Sequence, residues 1–420
     1  MRKVAAMSRW PALLLGLACG VAGCRERPVP RPTPLTHAAY VWRQGWDASA
    51  RDSLAGRNWP AGLTELNVLV GECGLAPLGR RVYPPWAALR ATGKTLSLSV
   101  RIGTRHALGG ADEPDLAEGL ALLRQGWAEA QVAGVTVAAV QVDFDCPSRL
   151  LGAYADRIAS AKRAWPEVRL TVTALPTWLQ EPGFTRLIAA ADGWTLQLHG
   201  TQRPNLAKPA PLFAEVPALG WIEQAESFGQ PFRIALPTYA YLACYSASGA
   251  YLGVRAESAE LPKGTARTQG LPADPAQVVR LLAQLEDRRH ALVLGVDWFR
   301  LPFPGDRQNW TMAGWAQVIA RQGMPSACLL EVKADGPLVD VAVVNPTGQP
   351  LPMPTLEVAW TGARVLGTDA TMDWTAVAAS AGVAFRPHPL AGFLAPGERR
   401  VVGWVRLTEA RPVQVRVVGE

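Results

Sequence analysis

Lysine is scarce in this 420-residue chain, supplying six of its 42 basic residues, and only 18% of all residues are charged. That is below the ~25% usual for soluble domains. With 49% hydrophobic residues beside it, so little charge excludes a solvated disordered polymer. There is no basic run, and the formal charge of +7 falls to 7 − 3 = +4 once Arg2, Lys3 and Arg9 of the N-terminal segment are set aside, which argues against nucleic acid as a partner. No glycine-rich loop follows any strand-like run, so dinucleotide binding has no support. Gly-x-Ser-x-Gly, His-x-His after the first strand and His-x-x-x-His are missing too, which removes the serine-hydrolase elbow and the common zinc motifs. No metal and no cofactor are expected.

What is present begins with an address. Met1–Trp10 carries three positive charges and no acid, and Pro11–Ala22 is apolar but too short to span a bilayer. The segment ends Val21-Ala22-Gly23-Cys24, which reads as a signal peptide over 1–23 and a lipid-modified Cys24. Arg25 in place of Asp makes the outer membrane, facing the periplasm of a bacterial envelope, the expected destination. Residues 24–35 hold the lipidated cysteine and a proline-rich stretch that reads as a stiff tether. In that oxidising space Cys73, Cys146, Cys244 and Cys328 are left, and Cys73 with Cys146, both at strand ends, form the expected disulfide.

From His37 to Gly323 short β-branched runs alternate with segments of helical period. Eight strands are predicted, over His37–Trp42, Leu66–Cys73, Leu96–Gly103, Val137–Cys146, Leu170–Leu175, Trp194–Gly200, Phe232–Tyr239 and Ala291–Phe299. The expected fold is α/β, a (β/α)8 TIM-type barrel over 36–325, with an open doubly wound sheet as the alternative. After about Pro325 short alternating runs predict a small all-β sandwich over 326–420.

Strand parity points polar side chains inward. Ser97, Ser99 and Arg101 oppose Leu96, Leu98, Val100 and Ile102; Gln141, Asp143 and Asp145 oppose Val140, Val142 and Phe144; Thr195, Gln197 and His199 oppose Trp194, Leu196 and Leu198. Two carboxylates at i and i+2 near the barrel mouth suit acid–base work, with Asp145 as proton donor and Asp143, close to Arg101, as its ionised partner. A loop-ordering or helix-capping Asp145 and a merely ion-paired Asp143 are the structural alternatives. Asp297 reads either as the opposing carboxylate or as a buried partner of Arg101. Glu72 is ambiguous in parity. His199, Tyr239 and Tyr241 read equally as site or core residues, and Trp42, Trp178 and Trp298 near strand ends could stack on sugar rings.

The segments Val140–Pro147 (VQVDFDCP), Thr173–Leu179 (TALPTWL), Leu196–Gly200 (LQLHG) and Gly295–Phe299 (GVDWF) resemble an uncharacterised bacterial lipoprotein family, a domain of unknown function with glycoside-hydrolase-like barrels. At one remove, Asp143 and Asp145 resemble the fourth-strand aspartates of chitinase-type glycosidases, whose pattern runs D-x-x-D-x-D-x-E. Here Val140 replaces the first Asp and Pro147 the terminal Glu. The resemblance implies a polysaccharide or glycan as partner and leaves two functions open, a glycoside hydrolase-like enzyme and a non-catalytic glycan- or partner-binding lipoprotein.

Overall fold

Eight parallel strands close on themselves in this computed structural model, which describes residues 34–418 apart from 56–57, 75–79, 104–113, 256–259 and 288–289. Cys24, the signal segment and all of the tether before Pro34 lie outside the described residues. The barrel strands are Thr36–Val41, Leu63–Cys73, Thr95–Ile102, Val137–Phe144, Leu170–Ala174, Gly193–Gln197, Phe232–Pro237 and Val293–Phe299. Each pairs with the next, and the first pairs with both the second and the eighth, which closes the ring. The open-sheet alternative is thereby excluded.

Helices cover the outside because the outward strand positions are predominantly apolar. Leu151–Ala164 shows why such segments are helical: Leu151, Tyr154, Ala155, Ile158 and Ala161 fall on one face and are buried, and Trp165-Pro166 ends the run. Pro114–Val132 and Pro275–Asp287 have the same role. Trp298, expected at the site, belongs to this outer layer. It alternates with inward Asp297, is fully buried, packs against Trp310 and Trp315 and donates its indole N–H to His37 Nδ1 at 3.1 Å. Trp178 is also core, donating to the Cys146 carbonyl at 3.1 Å.

The expected disulfide is not formed. Cys73 Sγ approaches the Arg101 carbonyl at 3.7 Å and Cys146 Sγ that of Pro147 at 3.5 Å. Cys73 pairs with Ile102, which pairs with Phe144. The third strand therefore lies between the strand that ends at Cys73 and the one that leads to Cys146, two residues past its end, and neither sulfur is in a disulfide.

Between the seventh and eighth barrel strands the chain adds three antiparallel strands, Ala240–Tyr245, Tyr251–Arg255 and Arg267–Pro272, with the first in the middle. Leu329–Val418 builds two four-stranded antiparallel sheets, whose inner faces place Val339, Val341, Leu356, Val358, Phe385, Val402 and Val405 in a core of their own. Phe393 from this region packs with Ala240 and Leu242 of the added strands, and Gly270 leaves room for its ring: a Cβ there would stand 2.8 Å from it.

Candidate active site

The barrel is filled by polar layers. Deepest towards the base, Arg233 donates to Asp297 at 2.5 Å and to Thr36 Oγ1 at 2.8 Å, and Asp297 also accepts from Thr195 at 2.8 Å. Above this lies a plug centred on Gln141, whose Oε1 accepts from Tyr40 at 2.7 Å and Asn67 at 2.9 Å while its amide donates to Thr195 at 3.3 Å. Asp297 and Gln141 therefore do not open onto the mouth, as the sequence suggested. Both line a separate polar hollow of about 420 Å³ shared with Glu65, Arg169 and Arg233. Asp297 sits in the middle of its strand, and its partner is Arg233 rather than Arg101.

The next layer meets the mouth. Arg101 and Asp143 are register neighbours on the third and fourth strands, and the guanidinium donates to Asp143 at 2.7 Å and also to Asp145. Asp143 accepts a further hydrogen bond from Thr173 at 2.8 Å. Burial alone would lower the Arg101 pKa, but the two carboxylates outweigh it and raise it. For Asp145 burial raises the pKa, Arg101 opposes, and neighbouring Asp143 adds to the rise, with a net upward shift. Asp145 does not cap the helical turn that follows, which begins after Pro147 without a side-chain cap.

A cavity of about 680 Å³ opens above this layer, walled by Trp42, Glu72, Arg101, Asp143, Gln197, His199 and Tyr239 among others. Asp145 is held by Arg101 beside that cavity, and among the described residues the carboxylates lining the cavity itself are Asp143 and Glu72. Alternation after Asp297 turns Phe299 inward. Its ring is stacked on His199 at 5.5 Å and meets Trp42, Tyr40 and Tyr239 edge-on or tilted at 5.2–5.7 Å. Tyr239 Oη lies 3.4 Å from His199 Nδ1, and burial holds His199 down to about 4. The imidazole there is neutral and polar rather than a cation. Tyr241 and Tyr251 of the added strands extend the aromatic wall, and burial pushes Tyr241 up to about 12.

Glu72 was legible as a residue but not as a direction. A β-bulge between Leu69 and Gly71 inserts one residue into the second strand, so that Asn67 faces Ser97, while Glu72, not Gly71, comes into register with Arg101. An inward carboxylate results. Gln44 donates to it, and burial raises its pKa against the pull of that bond and of Arg80 and Arg101. Among the described residues no cluster of three His, Cys, Asp or Glu is placed to hold a metal ion. Arg101 bonds both Asp143 and Asp145, and Asp297 is turned to the base.

Fold and site together define a closed parallel barrel with a polar, aromatic-walled cavity at the C-terminal ends of its strands, where barrel proteins place their chemistry. The chain belongs to the family described as Domain of unknown function (DUF3142), which matches residues 93–304. None of the curated proteins matches the chain. Among solved structures it is similar to the spore cortex-lytic enzyme SleL of Bacillus megaterium, at 11% identity over 70% of this chain and 76% of that one with a TM-score of 0.45. It is also similar to chitinase ChiA74 from Bacillus thuringiensis, at 9% identity over 92% and 100% with a TM-score of 0.44. A third is a fungal endo-β-N-acetylglucosaminidase of glycosyl hydrolase family 18, at 14% over 68% and 96% with a TM-score of 0.40.

Proposed function

We propose that the mouth cavity binds a polysaccharide chain and hydrolyses a glycosidic bond in it. The observation that carries this reading is the placement of Asp143, fixed by Arg101 and Thr173, on the floor of a cavity whose walls are aromatic faces. Flat apolar rings suit the C–H faces of sugars, and an acceptor-only carboxylate suits activation of water or stabilisation of positive charge at an anomeric carbon. Arg101 and Thr173 orient Asp143, and Asp145 also holds Arg101. Trp42, Tyr239 and Tyr241 contact sugar, while Gln197 and His199 offer polar atoms.

Asp143→Asn keeps the shape and removes the base. Turnover of any glycan that wild type cleaves should fall ~10²–10⁴-fold, with binding of the same glycan retained. The substrates are purified bacterial sacculi together with chitin-type and glucan-type oligosaccharides. A wild type inert across them would overturn the hydrolase reading. A second reading, a glycan-binding barrel without turnover, is favoured by Pro147 standing where the resembled pattern has its acid. It predicts no turnover and weaker binding when Trp42 or Tyr239 is truncated to Ala.

The proposed setting is the bacterial envelope, with lipid on Cys24 as the anchor. Cys24→Ser should move the protein from the membrane fraction to a soluble or unprocessed form. Soluble wild type of unlipidated mass would refute the anchor.

A further inference from the structure

Pro147 stands where the resembled pattern has its acid, Asp145 is bound to Arg101, and the bulge supplies another carboxyl directly to the cavity. Resting on the hydrolase reading above, we propose that Glu72 is the proton donor to the leaving sugar and that it works with Asp143 across Arg101 as an inverting pair.

Three observations place Glu72 for this. It is turned into the barrel by the register shift and lines the cavity with Asp143 and Trp42. Its Cα neighbour is Arg101, whose own neighbour is Asp143, so the Cα atoms of the two carboxyl-bearing positions lie two strand spacings, ~9.6 Å, apart, and both side chains reach inward from there to the same cavity. Carboxyl groups ~6.5–9.5 Å apart leave room for a water beside the sugar, whereas the ~5–5.5 Å of retaining enzymes does not. Finally, the hydrogen bonds of the two differ: Asp143 takes a guanidinium N–H and a hydroxyl, whereas Glu72 takes the neutral amide of Gln44, is half-buried, and feels Arg80 and Arg101 through their charges. Its raised pKa keeps the proton on towards higher pH than an exposed glutamic acid would.

In the step, Glu72 delivers its proton to the glycosidic oxygen as the bond from that oxygen to the anomeric carbon breaks, and the bonding pair stays with the leaving oxygen. Water attacks the opposite face. Its oxygen bonds to the anomeric carbon and its proton passes to Asp143. The proton gained by Asp143 and lost by Glu72 then exchanges through solvent, so the net reaction is addition of one water, with inverted configuration.

The test compares Glu72→Gln with Asp143→Asn on the glycan that wild type cleaves and on the 2,4-dinitrophenyl glycoside of the sugar it releases. Glu72→Gln should lose ~10²–10⁴-fold on the glycan and under about tenfold on the dinitrophenyl glycoside, whose leaving group needs no proton. Its pH–rate profile should lose the alkaline limb. Asp143→Asn should lose activity on both substrates. Proton NMR of the first product formed should show the inverted anomer. Equal losses of Glu72→Gln on both substrates, an unchanged alkaline limb or a retained anomer would each overturn the proposal while leaving hydrolysis standing. Wild type inert on every glycan would overturn both. Melting curves of Glu72→Gln matching wild type separate lost chemistry from lost folding.

Discussion

Among the described residues an arginine–aspartate group lies at the base of the barrel and another at its mouth, and the one at the mouth faces the proposed site. At the base, Arg233 and Asp297 are saturated by protein: the guanidinium also reaches Thr36 and the Val296 carbonyl, and the carboxylate also takes Thr195. At the mouth, Arg101 is shared between two carboxylates and opens, with Asp143, onto a cavity of about 680 Å³ walled by aromatic rings. A buried ion pair is therefore weak grounds for a function by itself. Both pairs have unfilled space beside them, about 420 Å³ at the base and about 680 Å³ at the mouth, and what distinguishes the mouth is the set of aromatic faces around that space.

The largest effect expected from this contrast comes at the base. Asp297→Ala strands Arg233 in the barrel, which should cost about 3–5 kcal/mol and leave turnover per folded molecule unchanged. Urea denaturation and single-substrate kinetics read the two separately, and a kinetic defect with normal stability would erase the distinction between the pairs. Acid is the next lever. His37 and His199 are held at about 4 from an ordinary 6.5, chiefly by burial, reinforced for His37 by Arg321 and Arg233 and opposed for His199 by Asp143. The unfolded chain thus binds protons first as pH falls. The stability from keeping both rings neutral is complete above about 6.5, is lost between about 6.5 and 4, and changes no further below that. Each ring contributes on the order of 3 kcal/mol, and the melting temperature of a His199→Gln variant should fall less steeply over that window. A slope equal to wild type would show that the ring is not held neutral.

Smaller still is the link between the two regions. Tyr40 lines the cavity yet donates to Gln141 in the plug. Tyr40→Phe should cost about 1 kcal/mol, since Asn67 still donates to the same oxygen; a loss of several kcal/mol would mean that plug and mouth form one unit. The exposed pair Arg186–Asp156 is the smallest expected effect. Arg186→Ala should shift chemical stability by under about 1 kcal/mol, and a larger shift would indicate that the ring of helices outside the barrel carries electrostatic weight.

The barrel was legible because parity repeats. Ser97, Ser99, Arg101, Gln141, Asp143 and Thr195 point inward as period-two alternation requires. The same rule applied to Asp297 assigns Trp298 outward and Phe299 inward, although indole chemistry made Trp298 the more attractive sugar platform. Depth was not legible. Alternation says which way a side chain points, not how far along the axis it lies, so Asp297 and Gln141 pass for mouth residues until the stagger of the strands is known. Nor was the bulge, because an inserted residue such as Val70 looks like any other β-branched strand residue. The three added strands after Pro237 escaped as well, since each is short and lies close to glycines and serines that read as loop.

Phe393 has a consequence for how the molecule can be cut. From Pro34 onward the chain forms one compact unit, and the ring of Phe393 rests on Gly270, Ala240 and Leu242, on the same added strands that carry Tyr241 and Tyr251 to the cavity. Thr268 is tied as well, through hydrogen bonds to the carbonyls of Pro389 and Ala391. A barrel expressed alone to residue 325 would keep all eight of its parallel strands and lose the support behind one side of its mouth. The C-terminal region is thus a brace rather than a passenger, and any shuffling of the barrel into a new host protein has to bring that brace along or replace it.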